Sequence, residues 1–163
     1  GALVSMVSGP ASELKKAHKL LQGYSRAIVH VGTEPGQGQR MKVLNNAICI
    51  ASYVISSEAL TYGEAGGLKV GEMLEVINES SGQNFATKFL FPKYVATEEY
   101  DASGAEAHII EKDISLFVEG ANDEGTPSTA IAAAYDIIKA FNNTDPLQDQ
   151  MNIYTYVKGL QKD

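Results

Sequence analysis

A lysine and two asparagines lie close together in a segment that reads Gly36-x-Gly38-x-x-x-Lys42-x-x-Asn45-Asn46. If the segment is helical, Lys42 and Asn46 share one face, because residues four apart are neighbours on a helix surface. Asparagine forms helices poorly, so a pair of asparagines inside a long helix calls for an explanation. A functional explanation makes Lys42 a general acid or base and Asn46 a hydrogen-bonding anchor for the same substrate oxygen. The alternative is a solvent-facing lysine beside asparagines that the helix tolerates.

The two glycines of this segment imitate a dinucleotide-binding fingerprint, since Gly36 and Gly38 follow a predicted strand and begin a predicted helix. The third glycine of that fingerprint, which permits close packing of helix on strand, is replaced by Met41. More helices follow, and no second strand is predicted that could carry the acidic residue for the ribose. No Gly-Lys-Ser or Gly-Lys-Thr follows either, which excludes a P-loop. The sequence therefore argues against a nucleotide cradle at this turn.

The spacing of apolar residues divides the chain into a short strand–helix–strand segment and a longer helical part. The first part is predicted as a strand at 2–7, a helix from Pro10 to Gly23 and a strand at 26–31. A long helix is predicted at 39–65, followed by shorter helices at 70–79, within 84–100 and at 105–119. Two more helices are predicted to begin at the pairs Thr126-Pro127 and Asp145-Pro146. We expect a mainly α fold with two domains, residues 1–33 and 34–163.

The composition narrows the class of protein. The 163 residues carry 13 Lys and Arg against 20 Asp and Glu, a net charge of −7. This balance argues against a nucleic-acid binder, and no run approaches the ~20 consecutive apolar residues of a membrane span. A single cysteine, Cys49, excludes an internal disulfide and a multi-cysteine metal site. We expect a cytoplasmic protein that holds no metal and binds neither nucleic acid nor membrane.

The lysine and asparagine motif, at a junction between a strand and a long helix, resembles the β-hydroxyacid dehydrogenases. This family includes 3-hydroxyisobutyrate dehydrogenase, tartronate semialdehyde reductase and 6-phosphogluconate dehydrogenase. Further segments similar to the family follow in the same order: 28–32 (IVHVG), 77–82 (INESSG) and Lys112-Asp113-Ile114. The resemblance implies that Lys42 is the catalytic acid or base and that Asn46, with Asn45 beside it, binds the substrate. It also implies that Lys112 reaches the cofactor near its nicotinamide end.

The resemblance implies a fold and a reaction as well. The fold is a 6-phosphogluconate-dehydrogenase-like C-terminal helical domain, preceded by a strand–helix–strand remnant of a Rossmann domain. The reaction is hydride transfer between NAD or NADP and a short 3-hydroxy acid similar to 3-hydroxyisobutyrate or glycerate. The cofactor is then held mainly by an N-terminal domain that these 163 residues lack, so we expect the chain alone to be inactive. A homodimer or tetramer formed through the helical domain is also implied.

Two other functions stay open: a non-catalytic helical dimerisation module, and a domain that binds a small acid without redox chemistry. The long helix would serve either function, whereas the intact lysine and asparagine set favours the dehydrogenase. The remaining notable side chains are expected to be structural: Cys49 as a small buried residue, His108 as a surface or core residue, and Phe85, Phe89 and Phe91 as core or inter-subunit packing.

Overall fold

The computed structural model describes residues 3–160, and packing divides the chain into two compact units, Gly1–Asn45 and Asn46–Asp163. The division falls inside the longest helix, which is continuous through it. The described residues are mainly helical, with one small parallel sheet of two strands. The domain boundary expected between residues 33 and 34 stays a prediction.

The first unit contains the expected strand–helix–strand segment. Strands β1 (Leu3–Ser8) and β2 (Ser25–Gly32) pair in parallel, and helix α1 (Ala11–Gln22) connects them. The two strands and the helix are thus confirmed to within two residues at each described end; Ala2, part of the first expected strand, lies outside the described residues. Pro10 is the N-cap of α1 rather than its first helical residue, with φ −56° and ψ 133°.

The long helix α2 (Gln37–Ala65) forms because apolar residues recur at helical spacing and no proline interrupts them. Its buried side chains in the second unit are apolar ones together with three serines: Ala47, Ile50, Ala51, Ser52, Tyr53, Val54, Ser56, Ser57 and Leu60. By length and composition alone, α2 is also long and apolar enough to cross a membrane. The core helix of a globular protein meets the same two conditions, and α2 supplies the core here. The expected lack of membrane binding stays a prediction.

The rest of the second unit is helical. Its elements are α3 (Val70–Asn78), a π-helical turn (Ala86–Leu90) that continues into α4 (Phe91–Tyr94), α5 (Ala107–Glu124), α6 (Thr129–Thr144), a 3-10 turn (Gln150–Asn152) and α7 (Ile153–Gly159). Phe91 is fully buried and packs edge-on against Tyr154, with ring centroids 6.2 Å apart. Phe85 and Phe89 do not enter this core: they are 49% and 57% exposed and pack against each other with centroids 5.2 Å apart and ring planes tilted by 44°.

The helix start expected at Thr126-Pro127 is wrong. The Thr126 N–H donates to the Ala121 carbonyl over 2.9 Å, so this residue closes α5 instead of opening α6. Helix α5 ends at Gly125, whose φ of 64° is the left-handed conformation that glycine adopts at low cost. The N-cap of α6 is Ser128.

The helix start expected at Asp145-Pro146 is also wrong, because Asp145 ends α6 and a later aspartate begins the last helical segment. The carboxylate of Asp149 accepts four hydrogen bonds, from the N–H groups of Ser103 (2.8 Å), Gly104 (2.9 Å) and Met151 (2.9 Å) and from the Ser103 hydroxyl (2.6 Å). Asp149 therefore caps the 3-10 turn before α7 and also holds the loop that leads into α5.

Candidate active site

Helix α2 carries the lysine and the two asparagines of the sequence motif. Lys42 and Asn45 are exposed at the end of the first unit, and Asn46, half-buried, begins the second. Because α2 is unbroken here, Asn45 and Asn46 lie three and four residues after Lys42 on one side of the helix. The helical placement of the motif is confirmed, whereas the roles of its three side chains stay predictions.

Asn46 is hydrogen-bonded to α5 through the carboxylate of Asp113. Its Nδ2 donates to Asp113 Oδ2 over 2.8 Å, and the Lys112 Nζ lies 2.8 Å from Asp113 Oδ1. The Asp113 side chain is only 17% exposed, whereas that of Lys112 is 61% exposed. One carboxylate thus lies between the amide expected to bind substrate and the ammonium expected to reach the cofactor.

The packing of α5 explains why this pair is held in place. Ile110 and Ile114 are buried in the core, which fixes the rotation of α5 about its axis. Asp113 follows at the edge of that buried face, and Lys112 lies beside it where solvent is reached. The family resemblance implies a role for Lys112 but none for Asp113. The available signal was the aspartate within Lys112-Asp113-Ile114; its partner Asn46 is 67 residues away and no local pattern indicates it.

The glycine turn before α2 is shaped for packing. Gly36 has φ +94°, a conformation that other residues rarely adopt. A Cβ added at Gly38 would lie 2.6 Å from the Met6 carbonyl oxygen, so the start of α2 leaves no room for a side chain beside β1. The Gly38 N–H donates to the Ser8 Oγ over 3.1 Å, so this amide already has a partner within the protein. These contacts agree with the sequence-based argument against a nucleotide cradle.

Two other candidate side chains stay outside the cluster formed by Asn46, Lys112 and Asp113. His108 is half-exposed at the start of α5, where its Nδ1 lies 3.2 Å from the Glu106 Oε2. Cys49 is half-buried beside the Tyr53 hydroxyl, and burial raises the pKa of its thiol, which disfavours the nucleophilic thiolate. Within residues 3–160, no three His, Cys, Asp or Glu side chains gather in an arrangement that would hold a metal ion.

Residues 36–157 match a family model described as "NAD-binding of NADP-dependent 3-hydroxyisobutyrate dehydrogenase". The chain belongs to this family. The match begins at Gly36, at the glycine turn, and it includes Lys42, both asparagines and the Lys112-Asp113 pair. The strand–helix–strand segment precedes the matched residues. The resemblance inferred from the motifs is therefore confirmed.

Individual relatives agree with the family match. The NAD-dependent L-serine dehydrogenase of Pseudomonas aeruginosa is 34% identical over 139 residues, which cover 81% of this chain and 46% of the relative. The 3-hydroxyisobutyrate dehydrogenase of the same bacterium is 31% identical over 140 residues, with the same two coverages of 81% and 46%. This chain therefore spans about half the length of the curated relatives that it matches.

Solved structures share the fold. The Mycobacterium tuberculosis 3-hydroxyisobutyrate dehydrogenase with L-serine superimposes with a TM-score of 0.83 at 24% identity, over 94% of this chain and 54% of that one. The structure of Psf3 in complex with NADP+ and 2-OPP superimposes with a TM-score of 0.77 at 20% identity, over 93% of this chain and 52% of that one.

The cofactor of this dehydrogenase family is NAD or NADP. The residues of this chain fit such a cofactor in part. Lys112 combines a positive charge with an exposed side chain, which suits a contact with a polar or anionic group of the cofactor. The turn at Gly36 and Gly38 does not suit the pyrophosphate, because the Gly38 amide donates to Ser8. The contact of Lys112 with the cofactor stays a prediction, and this turn is not a pyrophosphate cradle.

Proposed function

We propose that this chain supplies the acid–base lysine and the substrate-binding amides of an NAD(P)-dependent 3-hydroxy acid dehydrogenase. The reaction is reversible hydride transfer between the nicotinamide and the hydroxyl-bearing carbon of a short acid similar to 3-hydroxyisobutyrate or glycerate. The hydrogen bond from Asn46 to Asp113 carries the proposal, because it joins the motif on α2 to the lysine–aspartate pair on α5. Two segments that each resemble the dehydrogenases are thereby in direct contact.

Lys42 is the proposed acid–base group. When bound, NAD(P)+ would supply the acceptor for the hydride that leaves the carbon whose hydroxyl becomes a carbonyl. The hydroxyl proton passes to the neutral amine of Lys42, which ends the oxidation as an ammonium. In the reduction, the Lys42 ammonium returns this proton to the developing alkoxide and stabilises its negative charge. The products of oxidation are the carbonyl acid, NAD(P)H and one proton on Lys42.

Asn45 and Asn46 are proposed to bind the substrate next to this amine. An amide offers a donor and an acceptor in one plane, so it can orient a carboxylate or a hydroxyl. Their positions three and four residues after Lys42 direct them to the same side of α2. Lys112 is proposed to contact the cofactor from α5.

Turnover of the natural-length protein, that is, of the polypeptide as its gene encodes it, tests the proposed reaction. We expect reduction of NAD or NADP with 3-hydroxyisobutyrate, glycerate or L-serine, and none with lactate, which lacks a 3-hydroxyl group. The 163-residue chain alone is expected to be inactive and to bind NAD(P) weakly. Calorimetric binding of these acids without turnover would favour the small-acid-binding alternative, and neither binding nor turnover would favour the dimerisation module.

We also propose that the first unit belongs to a larger parallel sheet of the Rossmann type. Parallel sheets are normally covered on both faces, and a two-stranded sheet is marginal by itself. Here α1 has no buried residue, and the apolar side chains of Leu3, Leu20 and Val29 are 62%, 74% and 46% exposed. Additional strands and helices would cover this surface, and the cofactor-binding domain that the family resemblance implies would supply them.

Hydrogen exchange of the 163-residue chain tests the proposed larger sheet. Backbone amides of β1 and β2 are expected to exchange about 100-fold or more faster than those at positions 47–60 of α2, because protection follows burial. The amides of the buried face of α5 are the internal reference and should match α2. Equal protection of β1, β2 and α2 would mean that the first unit is stable by itself, which contradicts the proposal.

A homodimer formed through α2 is the partner that we propose. Ile48, Ile55 and Tyr62 are 62%, 59% and 83% exposed and follow one another at intervals of seven residues. Residues seven apart lie two turns apart on nearly the same line of a helix, so the three form one apolar stripe. Ile55→Lys is expected to convert a dimer into a monomer in sedimentation experiments. The control is Val76→Lys, an exposed valine of α3 whose replacement should leave the dimer intact. A wild-type monomer would contradict the proposal.

A further inference from the structure

The carboxylate of Asp113 uses its two oxygens for two different partners. Oδ2 accepts from the Asn46 amide and Oδ1 faces the Lys112 ammonium, each at 2.8 Å. We propose that Asp113 is the positioning residue that couples the substrate amide to the cofactor lysine in the dehydrogenase reaction. This inference rests on the proposed function, since the roles of Asn46 and Lys112 come from it.

The contact with Asp113 selects one orientation of the Asn46 side chain. An ionised carboxylate only accepts hydrogen bonds, whereas an amide has a donating NH2 end and an accepting oxygen end. Reversal of the Asn46 amide would bring its oxygen against the Asp113 oxygen, which is repulsive. The Asn46 Nδ2 therefore faces α5, and this fixes how the amide is presented to a substrate.

The same carboxylate restrains a side chain that is otherwise free to sample solvent. Lys112 is 61% exposed, and its flexible side chain adopts many rotamers. A largely buried carboxylate at 2.8 Å gives its ammonium one preferred position. Because the two carboxylate oxygens belong to one rigid planar group, a shift of Asp113 toward either partner changes its distance to the other. The positions of Asn46 and Lys112 are thereby coupled.

Asp113→Asn in the natural-length protein tests this role. The variant has the same shape, but one of its two polar ends becomes a donor, so it cannot accept from both partners. We expect kcat/KM for the hydroxy acid to fall about 10- to 100-fold, a loss comparable to that caused by removing a residue that orients a metal ligand. The KM for NAD(P) should rise as well. The control is Asp123→Asn, the same change at an exposed position of α5, which should leave both constants unchanged.

Double-mutant cycles separate positioning from a general loss of structure. If Asp113 acts through Asn46, then Asp113→Asn should have little further effect on kcat/KM for the acid once Asn46→Ala is present. In the corresponding cycle, Asp113→Asn should have little further effect on the KM for NAD(P) once Lys112→Met is present. Fully additive effects in either cycle, or wild-type constants in Asp113→Asn, would overturn the proposal.

A second measurement does not depend on turnover. In NMR spectra of the 163-residue chain, the side-chain NH2 signals of Asn46 are expected to shift in Asp113→Asn and not in Asp123→Asn. Lys112→Met, at an exposed position, is the alternative variant if Asp113→Asn does not fold, and it should shift the same signals. Unchanged Asn46 signals would refute the positioning role. Shifted signals in a protein that lacks dehydrogenase activity would instead refute the proposed function while leaving the Asn46–Asp113 contact intact.

Discussion

Lys42→Ala is expected to lower kcat for hydroxy-acid oxidation by about 10²- to 10⁴-fold, the usual contribution of a general acid or base. Without the amine, the hydroxyl proton has no positioned acceptor while the hydride leaves. Binding of NAD(P) should stay within about twofold of the wild-type value, because a group that acts only in the transition state contributes little to ground-state affinity. Steady-state kinetics and a cofactor titration of the natural-length protein measure both quantities.

Two controls make the Lys42 result specific. Lys15→Ala removes an exposed lysine of α1 and should leave kcat unchanged. Added methylamine or ethylamine should restore part of the activity of Lys42→Ala, since a small amine can occupy the space left by the side chain and accept the proton. An unchanged kcat in Lys42→Ala would contradict the acid–base assignment. A loss that amines do not restore, accompanied by weaker cofactor binding, would contradict it as well.

Asp149→Ala is expected to destabilise the protein by about 2–4 kcal/mol, since it removes a helix cap and leaves several donors without their acceptor. The carboxylate accepts the Ser103, Gly104 and Met151 N–H groups and the Ser103 hydroxyl. Urea denaturation of the 163-residue chain measures the free energy of unfolding.

The matched control is Asp145→Ala, four residues earlier. The Asp145 carboxylate accepts the Leu147 N–H over 2.9 Å in an exposed turn. We expect this change to cost less than about 1 kcal/mol, as for an exposed capping residue. Equal losses for the two variants would contradict the account of Asp149 as the residue that holds the loop before α5.

Local patterns in the sequence were sufficient to predict the helices and strands but not all of the residues at which they begin and end. The continuity of α2 follows from apolar spacing without proline, so its range was predicted to within two residues. The starts of α6 and α7 were misplaced because Thr126-Pro127 and Asp145-Pro146 resemble capping pairs. In the structure, Thr126 closes α5 and Asp145 ends α6. Which of two nearby aspartates caps a helix depends on tertiary partners, here the loop at Ser103 and Gly104.

The candidate site, too, could be predicted from the sequence only in part. The spacing of Lys42, Asn45 and Asn46 is local, and the sequence alone predicted that they share one side of a helix. The contact between Asn46 and Asp113 joins residues 67 positions apart and depends on how α2 and α5 pack in the second unit. No periodicity in the sequence indicates such a contact, so the structure alone shows that Asp113 is the partner of Asn46. The packing role of Gly38 likewise depends on how closely the start of α2 approaches Met6, which no local pattern indicates.

The central claim is that this protein transfers a hydride from a 3-hydroxy acid to the nicotinamide with Lys42 as the base. Transfer of deuterium tests this claim most directly. The natural-length protein is incubated with NAD(P)+ and a 3-hydroxy acid in which deuterium replaces every hydrogen on the hydroxyl-bearing carbon, and the reduced cofactor is analysed by mass spectrometry. The account predicts one deuterium on the nicotinamide ring with the wild-type protein and with Lys15→Ala, and almost none in the same time with Lys42→Ala. Reduced cofactor without deuterium, or equal transfer by Lys42→Ala, would contradict it.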